Sequence, residues 1–398
     1  MDYRPVTESM PSGVRFQLML ITAIRACQNN CLELVRRLLF HSVSKAPQTI
    51  LVFKVGNIGD ITCAIPALIA IRRAYPAARL TLLSSPGRRG APGAKELLSG
   101  AWYLDELVVY HAEEIGSFSQ RRNLVKKLRQ HQPDLFIQLP DDLVSWPTLL
   151  RNILFARAVG ARAAFGFRVR TLPYFKQTQV NYLQAATETD SLLNLLRQFG
   201  ISTKQAEFSF PITIAQTENI QKRLQARWPQ RSSKELIVAL GPGGKRPANR
   251  WPAERFAAAA RMLEERYQTY TIILGGPDDK ERAGMIAAQL TPERAWNATG
   301  TFDLLETTEL LRQCSLLVAN STGTAHLAAA VGLPTVGLYT PRDVPGRWSP
   351  FGSQHLVLCR TKLSCRYRNE SCLEHSLDLI TVEEVVAAAI RIIESRRS

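Results

Sequence analysis

Cysteine is scarce: 398 residues hold seven, an odd number with no CxxC pair. That excludes the paired framework of small secreted domains and argues for a reducing compartment, the cytoplasm by default. No apolar run approaches the ~20 residues that span a bilayer. In the N-terminal stretch the longest, Phe16 to Ile24, is broken by Gln17 and Thr22 and ends at Arg25. Met1 to Gly13 is polar and carries Asp2 and Glu8, without a small-residue cleavage site behind a basic-then-apolar run, so no secretory signal is expected. Zinc-finger spacing and an RNP-type aromatic motif are missing, which weighs against nucleic acid as a partner. The G-x-G-x-x-G fingerprint and a Walker-type lysine loop are missing too, which disfavours a dinucleotide dehydrogenase or a P-loop enzyme.

What is present is an ordinary globular composition, 45% hydrophobic and 21% charged, far from that of a disordered chain. The length exceeds what one core supports, so two domains are expected. A formal net charge of +16 attracts polyanions. Of these, an anionic membrane surface or a phosphorylated substrate fits better than nucleic acid, because the arginines are spread along the chain.

Residues 1–48 read as an extension. From Val14 to Phe40, Leu20, Ile24, Cys27, Cys31, Leu34 and Leu38 recur at helical spacing along one face. Beside them stand Arg15, Arg25, Arg36 and Arg37, which suit a helix lying in an anionic interface. A helix whose stripe packs on the main body of the protein or on a second subunit has the same periodicity, so both placements stay open. Ser42 to Gln48 reads as a linker.

From Ile50 the run ILVFKV is apolar and partly β-branched, as a strand buried on both faces of a parallel sheet should be. The turn GNIGD, an apolar helix to Tyr75 and a second strand RLTLLS at 79–84 complete a βαβ unit. Strands at 107–110 and 135–139, separated by a basic helix over 119–130, extend a first Rossmann-like domain over 49–215. A polar stretch then precedes ELIVALGPGG, and TIILGG, SLLVAN and PTVGLY alternate with helices through a second domain over 216–380. Thr381 and Glu384 have capping-box spacing before a final helix over 381–398, which is able to pack back across the first domain. The fold class is α/β, with two doubly wound parallel sheets and a cleft implied between them.

Three motifs carry candidate chemistry. In Gly56-Asn57-Ile58-Gly59-Asp60 a strand-to-helix turn places Asp60 at the carboxyl end of the sheet, where α/β proteins bind ligands and where a carboxylate can take the proton of an attacking hydroxyl. An aspartate there is equally suited to capping the helix. Asn320, Ser321, Thr322, Gly323, Thr324 and His326 sit between a strand and an apolar helix, a place where backbone N–H groups and hydroxyls can hold a diphosphate. Plain N-caps and a core histidine are the alternative. The glycine-rich turn at 241–252 carries Gly243, Lys245, Arg246, Asn249 and Arg250, either converging on the same anion or forming an exposed basic loop. Cys359, Cys365 and Cys372, with His355 and His375, match no known zinc module; a packed structural loop is expected rather than a metal, with Arg360, Lys362, Arg366 and Arg368 able to meet a phosphorylated acceptor.

These segments, in this order, resemble the heptosyltransferases of glycosyltransferase family 9 over roughly residues 50 to 390. AVGARAAFGF at 158–167, NSTGTAHLAAAVGLPTVGLYTPRD at 320–343 and CLEHSLDLITVEEV at 372–385 add to the likeness, the second being the most specific. The resemblance implies a GT-B fold, the acceptor on the N-terminal half and the nucleotide sugar on the other. It also implies metal-independent inversion with no cofactor, Asp60 as general base, ADP-heptose as donor and lipopolysaccharide core as acceptor. Two departures stand out. Asn249 occupies the place of a lysine that many members carry two residues before Trp251-Pro252, and Ser321 that of an aspartate tied to the donor. They leave room for a sugar-nucleotide-binding scaffold that has lost turnover, or for a nucleotide-sugar epimerase or hydrolase.

Overall fold

The structure is a computed structural model that describes residues 12–42, 46–141, 144–169, 186–340, 346–360 and 376–396. The chain divides into two compact units, the first reaching Pro211 apart from 183–187, the second holding that short stretch and everything from Ile212.

In the first unit, strands β1 (Thr49–Val55), β2 (Arg79–Ser85), β3 (Glu106–Val109), β4 (Leu135–Gln138) and β5 (Ala163–Phe165) form one parallel sheet in the order β3-β2-β1-β4-β5. The apolar runs forecast these strands because each is buried from both sides, so side chains of both parities must be apolar. Strand order reverses between β1 and β4, the point where open α/β sheets leave a crevice beyond their carboxyl ends. Helix α2 (Ile58–Ala74) follows β1 directly; a short α3 (Ala94–Leu98) and then α4 (Phe118–Arg129), α5 (Trp146–Ala158) and α6 (Glu188–Arg197) complete the unit. Phe136 and Phe167 stack at 6.0 Å inside a core that also holds Leu51, Phe53 and Ile153.

Helix α1 (Ser12–Leu39) does not pack the stripe read from periodicity on the first unit. The stripe read from periodicity faces solvent: Leu20 is 52%, Leu34 60% and Leu38 76% exposed, and Cys27 and Cys31 are exposed as well. The neighbouring face does the packing, with Leu32, Val35 and Leu39 set into the first unit's core and Phe40 closing the end. Asn29 fixes the orientation by exchanging two hydrogen bonds with the Val169 backbone, at 3.0 and 2.8 Å. Arg36 also turns inward, donating to the Ala164 carbonyl and pairing with Glu33 at 2.7 Å, so it is unavailable to the solvent face. Among the described residues no helix is long and apolar enough to cross a membrane.

The second unit carries a parallel sheet of β6 (Ile237–Gly241), β7 (Tyr270–Ile273), β8 (Ala295–Asn297), β9 (Leu316–Asn320), β10 (Thr335–Tyr339) and β11 (Leu356–Cys359), ordered β11-β10-β9-β6-β7-β8. Its helices are α7 (Ile214–Arg227), α8 (Ala253–Tyr267), α9 (Lys280–Ala287), α10 (Leu304–Arg312), α11 (Gly323–Ala330) and α12 (Val382–Ser395). The order reverses between β6 and β9, the two strands that the glycine-rich and Ser/Thr-rich motifs follow. Thr381 caps α12 by accepting from the Glu384 N–H, and the helix buries Val385, Ala389, Ile392 and Ile393 in this unit's core with Phe256 and Leu263 of α8. Two α/β units with all-parallel, doubly wound sheets are the architecture of a GT-B protein.

Candidate functional site

Each unit has its motif residues at the point where its strand order reverses. In the first, β1 runs out at Val55 and the chain turns at Gly56, whose φ of +147° few side chains adopt. A Cβ there would lie 2.2 Å from that of Asp60, so the turn can close only over glycine. Asn57 is the N-cap of α2, and Asp60 sits three residues into the first turn, its Oδ2 accepting the Asn57 N–H at 3.0 Å. The aspartate is therefore not the N-cap itself: it closes the cap from inside and keeps partial solvent contact.

Around Asp60 the structure gathers residues that sequence reasoning passed over. Lys54, on β1, is completely buried, with Nζ 3.0 Å from Asp141 Oδ1 and 3.8 Å from Glu188 Oε1. Asp141 follows β4 across the strand-order reversal, and Glu188, also fully buried, opens α6. A buried ammonium is costly unless carboxylates surround it, and here they do. Burial raises the pKa of Asp60 above the ordinary carboxylate range; the Lys54 charge opposes this, Asp141 and Glu188 add to it, and the Asn57 hydrogen bond opposes it again. Cys63, one turn along α2, is buried and its thiol is pushed well up, chiefly by burial and then by Glu188 and Asp60, so it is no nucleophile. Tyr110, after β3, is pushed up to about 12 by burial, with smaller influences from Arg151 and Asp141.

A signal for Lys54 was visible: a charge inside ILVFKV breaks an otherwise apolar strand, and such a residue is either mispositioned or held by partners. Nothing local marked Asp141 or Glu188, which lie far along the chain.

In the second unit Asn320 ties the two motifs together. Its side chain is buried at the end of β9, donating to the Pro242 and Gly243 carbonyls at 2.8 and 3.0 Å and accepting the Trp251 N–H at 3.1 Å. Trp251 is wholly buried and its indole donates to the Ile380 carbonyl at 3.0 Å, so the WP pair anchors the glycine-rich loop to the entry of α12. Gly243 approaches Asp279 so closely that a Cβ would come within 2.6 Å of the carboxylate. Asp279 in turn accepts the Gly276 N–H at 3.0 Å, which fixes it within the loop after β7, and its approach to Gly243 sets that loop against the loop after β6.

Thr322 is the N-cap of α11, yet its hydroxyl makes no cap hydrogen bond, and the oxygen is buried without a hydrogen-bond partner among the described residues. Ser321, Gly323 and Thr324 are partly exposed around it, at the positive end of the helix dipole. Donors of this kind beside a helix N-terminus suit an anion. His326 is buried one turn further on, edge-to-face with Trp348 at 5.9 Å. Lys245 is exposed, whereas the Arg250 guanidinium is partly buried and donates to the Gly244 carbonyl at 2.7 Å, bracing the loop. Asn249, in the lysine's place, is buried with Thr340 Oγ1 3.5 Å from its Oδ1. Of the cysteine segment, Cys359 is buried, His355 lies 2.9 Å from the Phe351 carbonyl, and Arg360 pairs with Glu384; Cys365, Cys372, His375, Lys362, Arg366 and Arg368 lie outside the described residues.

Comparison with known proteins shows what the chain is similar to. A profile described as glycosyltransferase family 9 (heptosyltransferase) matches residues 121–376. Lipopolysaccharide heptosyltransferase 2 of Escherichia coli K12 is 36% identical over 115 residues, 28% of this chain and 32% of that protein, so this match spans about a third of the relative's length. Among solved structures, a family 9 glycosyl transferase from Veillonella parvula superposes with a TM-score of 0.71 at 22% identity, covering 89% of this chain and all of that one. The E. coli ADP-heptose lipopolysaccharide heptosyltransferase II gives 0.62 at 20% identity, with 88% and 100% covered. At these identities the structural matches speak for the fold.

Proposed function

The chain belongs to glycosyltransferase family 9, the heptosyltransferase family, and from that premise we propose that it is an inverting glycosyltransferase moving a heptose from ADP-heptose onto a hydroxyl of a lipopolysaccharide-core acceptor. The observation that carries the reading is Asp60: a carboxylate on a partly buried residue, fixed by the Asn57 N–H at the carboxyl end of β1, where the strand order reverses. The acceptor oxygen attacks the anomeric carbon from the face opposite the diphosphate, and its proton passes to Asp60. The bond from that carbon to the diphosphate oxygen breaks, and ADP leaves. The configuration at the anomeric carbon inverts.

Charge on the departing diphosphate is met by the α11 N-terminus, the hydroxyls of Ser321, Thr322 and Thr324, and the side chains of Lys245 and His326, so the reaction needs no metal ion. The Asn320-braced glycine-rich loop lines the nucleotide beside β6. The donor assignment draws support from the structural relative described as an ADP-heptose enzyme. The net charge of +16 and the exposed apolar stripe of α1 support placement on the anionic cytoplasmic face of a membrane, where a lipid-linked acceptor resides.

Thermal stabilisation across ADP, UDP, GDP, CDP and their sugars tests the donor, because a ligand that binds only the folded state raises the melting temperature. ADP and ADP-heptose are expected to stabilise selectively; stabilisation by another nucleotide would overturn the donor while leaving the mechanism. Sedimentation with anionic vesicles tests the membrane placement: binding should vanish when the exposed stripe of α1 is made acidic and the core-packed face is left intact.

A further inference from the structure

We propose that Asp141 contacts the acceptor sugar, accepting a hydrogen bond from a hydroxyl other than the one that attacks; this rests on the acceptor lying over the first unit's strand-order reversal, as the mechanism above requires. Asp141 follows β4 and Asp60 follows β1, so both stand beyond the carboxyl ends of the two strands that flank the reversal, where an open α/β sheet leaves its binding crevice. Of the two carboxylates paired with Lys54, Glu188 is wholly buried and Asp141 is 41% exposed, so Asp141 is the one that a ligand can reach from solvent. Its Oδ1 accepts from Lys54 Nζ at 3.0 Å, while its Oδ2 makes no hydrogen bond among the described residues.

An exposed aspartate on a loop ordinarily turns freely in water, and fixing it for a ligand costs rotamer entropy. Here the fold has already fixed it: Lys54, 0% exposed on β1, pins one oxygen and leaves the other presented in a set direction. A carboxylate oxygen only accepts, so its partner must be a donor, and a hydrogen bond to a charged group is stronger than one between neutral groups. A phosphate in the same place would meet like charge, whereas a sugar hydroxyl supplies the donor without it. Ser84 is a second, independent sign. It pairs in register with Lys54 on the neighbouring strand, so the two side chains share one face of the sheet. Ser84 is wholly buried, and its hydroxyl has no hydrogen-bond partner among the described residues. Buried polar groups are rarely left unpaired, and a hydroxyl bound beside the Lys54–Asp141 pair, or a water it brings, completes this one. The ligand is thus an unphosphorylated sugar position, and an acceptor carrying phosphate there is refused.

The experiment is calorimetric titration of a deacylated, dephosphorylated lipopolysaccharide inner-core oligosaccharide into full-length wild type, Asp141→Ala and Asp141→Asn, each first checked for a cooperative melt, with ADP titrated into the same three proteins. Asp141→Ala is expected to weaken the oligosaccharide by about 10- to 100-fold, the range for a hydrogen bond to a charged group, while affinity for ADP stays within about twofold of wild type. Asp141→Asn keeps an acceptor toward Lys54 but loses the anionic oxygen, so it should weaken the oligosaccharide less. A folded Asp141→Ala that melts at a lower temperature yet binds the oligosaccharide as tightly as wild type would show a carboxylate that only neutralises Lys54, and the proposal would fall. Should Asp141→Ala fail to melt cooperatively, Asp141→Asn decides: weaker oligosaccharide binding with ADP affinity kept supports the assignment, and equal binding overturns it. Because binding is read without turnover, an Asp60→Asn variant that still transfers sugar would remove the base proposed above and leave this result standing. Wild type that does not bind the oligosaccharide would remove the acceptor assignment, and the proposal with it.

Discussion

At the scale of single residues, two positions hold the two half-sites in place, and each makes a prediction. Gly56 is required because its φ of +147° and the 2.2 Å approach to the Asp60 Cβ leave no space for a methyl group. Gly56→Ala should cost about 1–3 kcal/mol in stability and lower turnover with it, since relief of the clash must displace the aspartate; urea denaturation paired with a transfer assay measures both. Asn320 makes three buried hydrogen bonds to the glycine-rich loop. Asn320→Ala orphans buried backbone groups, and a loss of about 1–3 kcal/mol is expected together with weaker stabilisation by ADP, read by calorimetry with and without nucleotide. The residues legible from sequence here were those on glycine-bearing turns. Asp141 and Glu188 were not, because they reach Lys54 from 87 and 134 positions away, and only the folded sheet brings them together.

At the scale of elements, the strands were readable because a parallel sheet covered on both faces demands unbroken apolar runs, and each run in ILVFKV, RLTLLS, SLLVAN and PTVGLY became a strand. Helix α1 was readable as a helix but not in its facing. Periodicity locates an amphipathic face, yet Leu20, Ile24, Leu34 and Leu38 interleave with Leu32, Val35 and Leu39, and tertiary partners such as Val169 and Ala164 decide which set is covered. The two faces separate by mutation. Leu32→Ala should cost about 2–5 kcal/mol, since it empties a fully buried site. Leu20→Asp with Leu38→Asp should leave the melting temperature within a degree or two, because these side chains are already in water. The same pair should abolish sedimentation with anionic vesicles. Vesicle binding that survives the pair would show that the stripe is not what meets the membrane.

At the scale of the whole molecule, stability and charge respond to pH in a direction the structure fixes. His355 is buried against the Phe351 carbonyl, and burial lowers its pKa from 6.5 to about 4. The folded state therefore favours the neutral ring while the unfolded chain binds a proton. The stability this contributes is present above pH 6.5 and lost as pH falls toward 4, by up to about 3 kcal/mol. His355→Gln should flatten the melting-temperature profile in that window relative to wild type, and parallel profiles would contradict the assignment. The two-unit plan followed from length and from the restart of a strand-and-glycine pattern near ELIVALGPGG, but the identity of the donor pocket did not, because Asn249 and Ser321 depart from the positions that usually mark it. The most direct test of the whole account is the rate of heptose transfer from ADP-heptose by Asp60→Asn against wild type, with ADP binding measured on both. The account predicts a loss of about 10²–10⁴-fold in kcat with ADP binding retained. Turnover within a few-fold of wild type would contradict it.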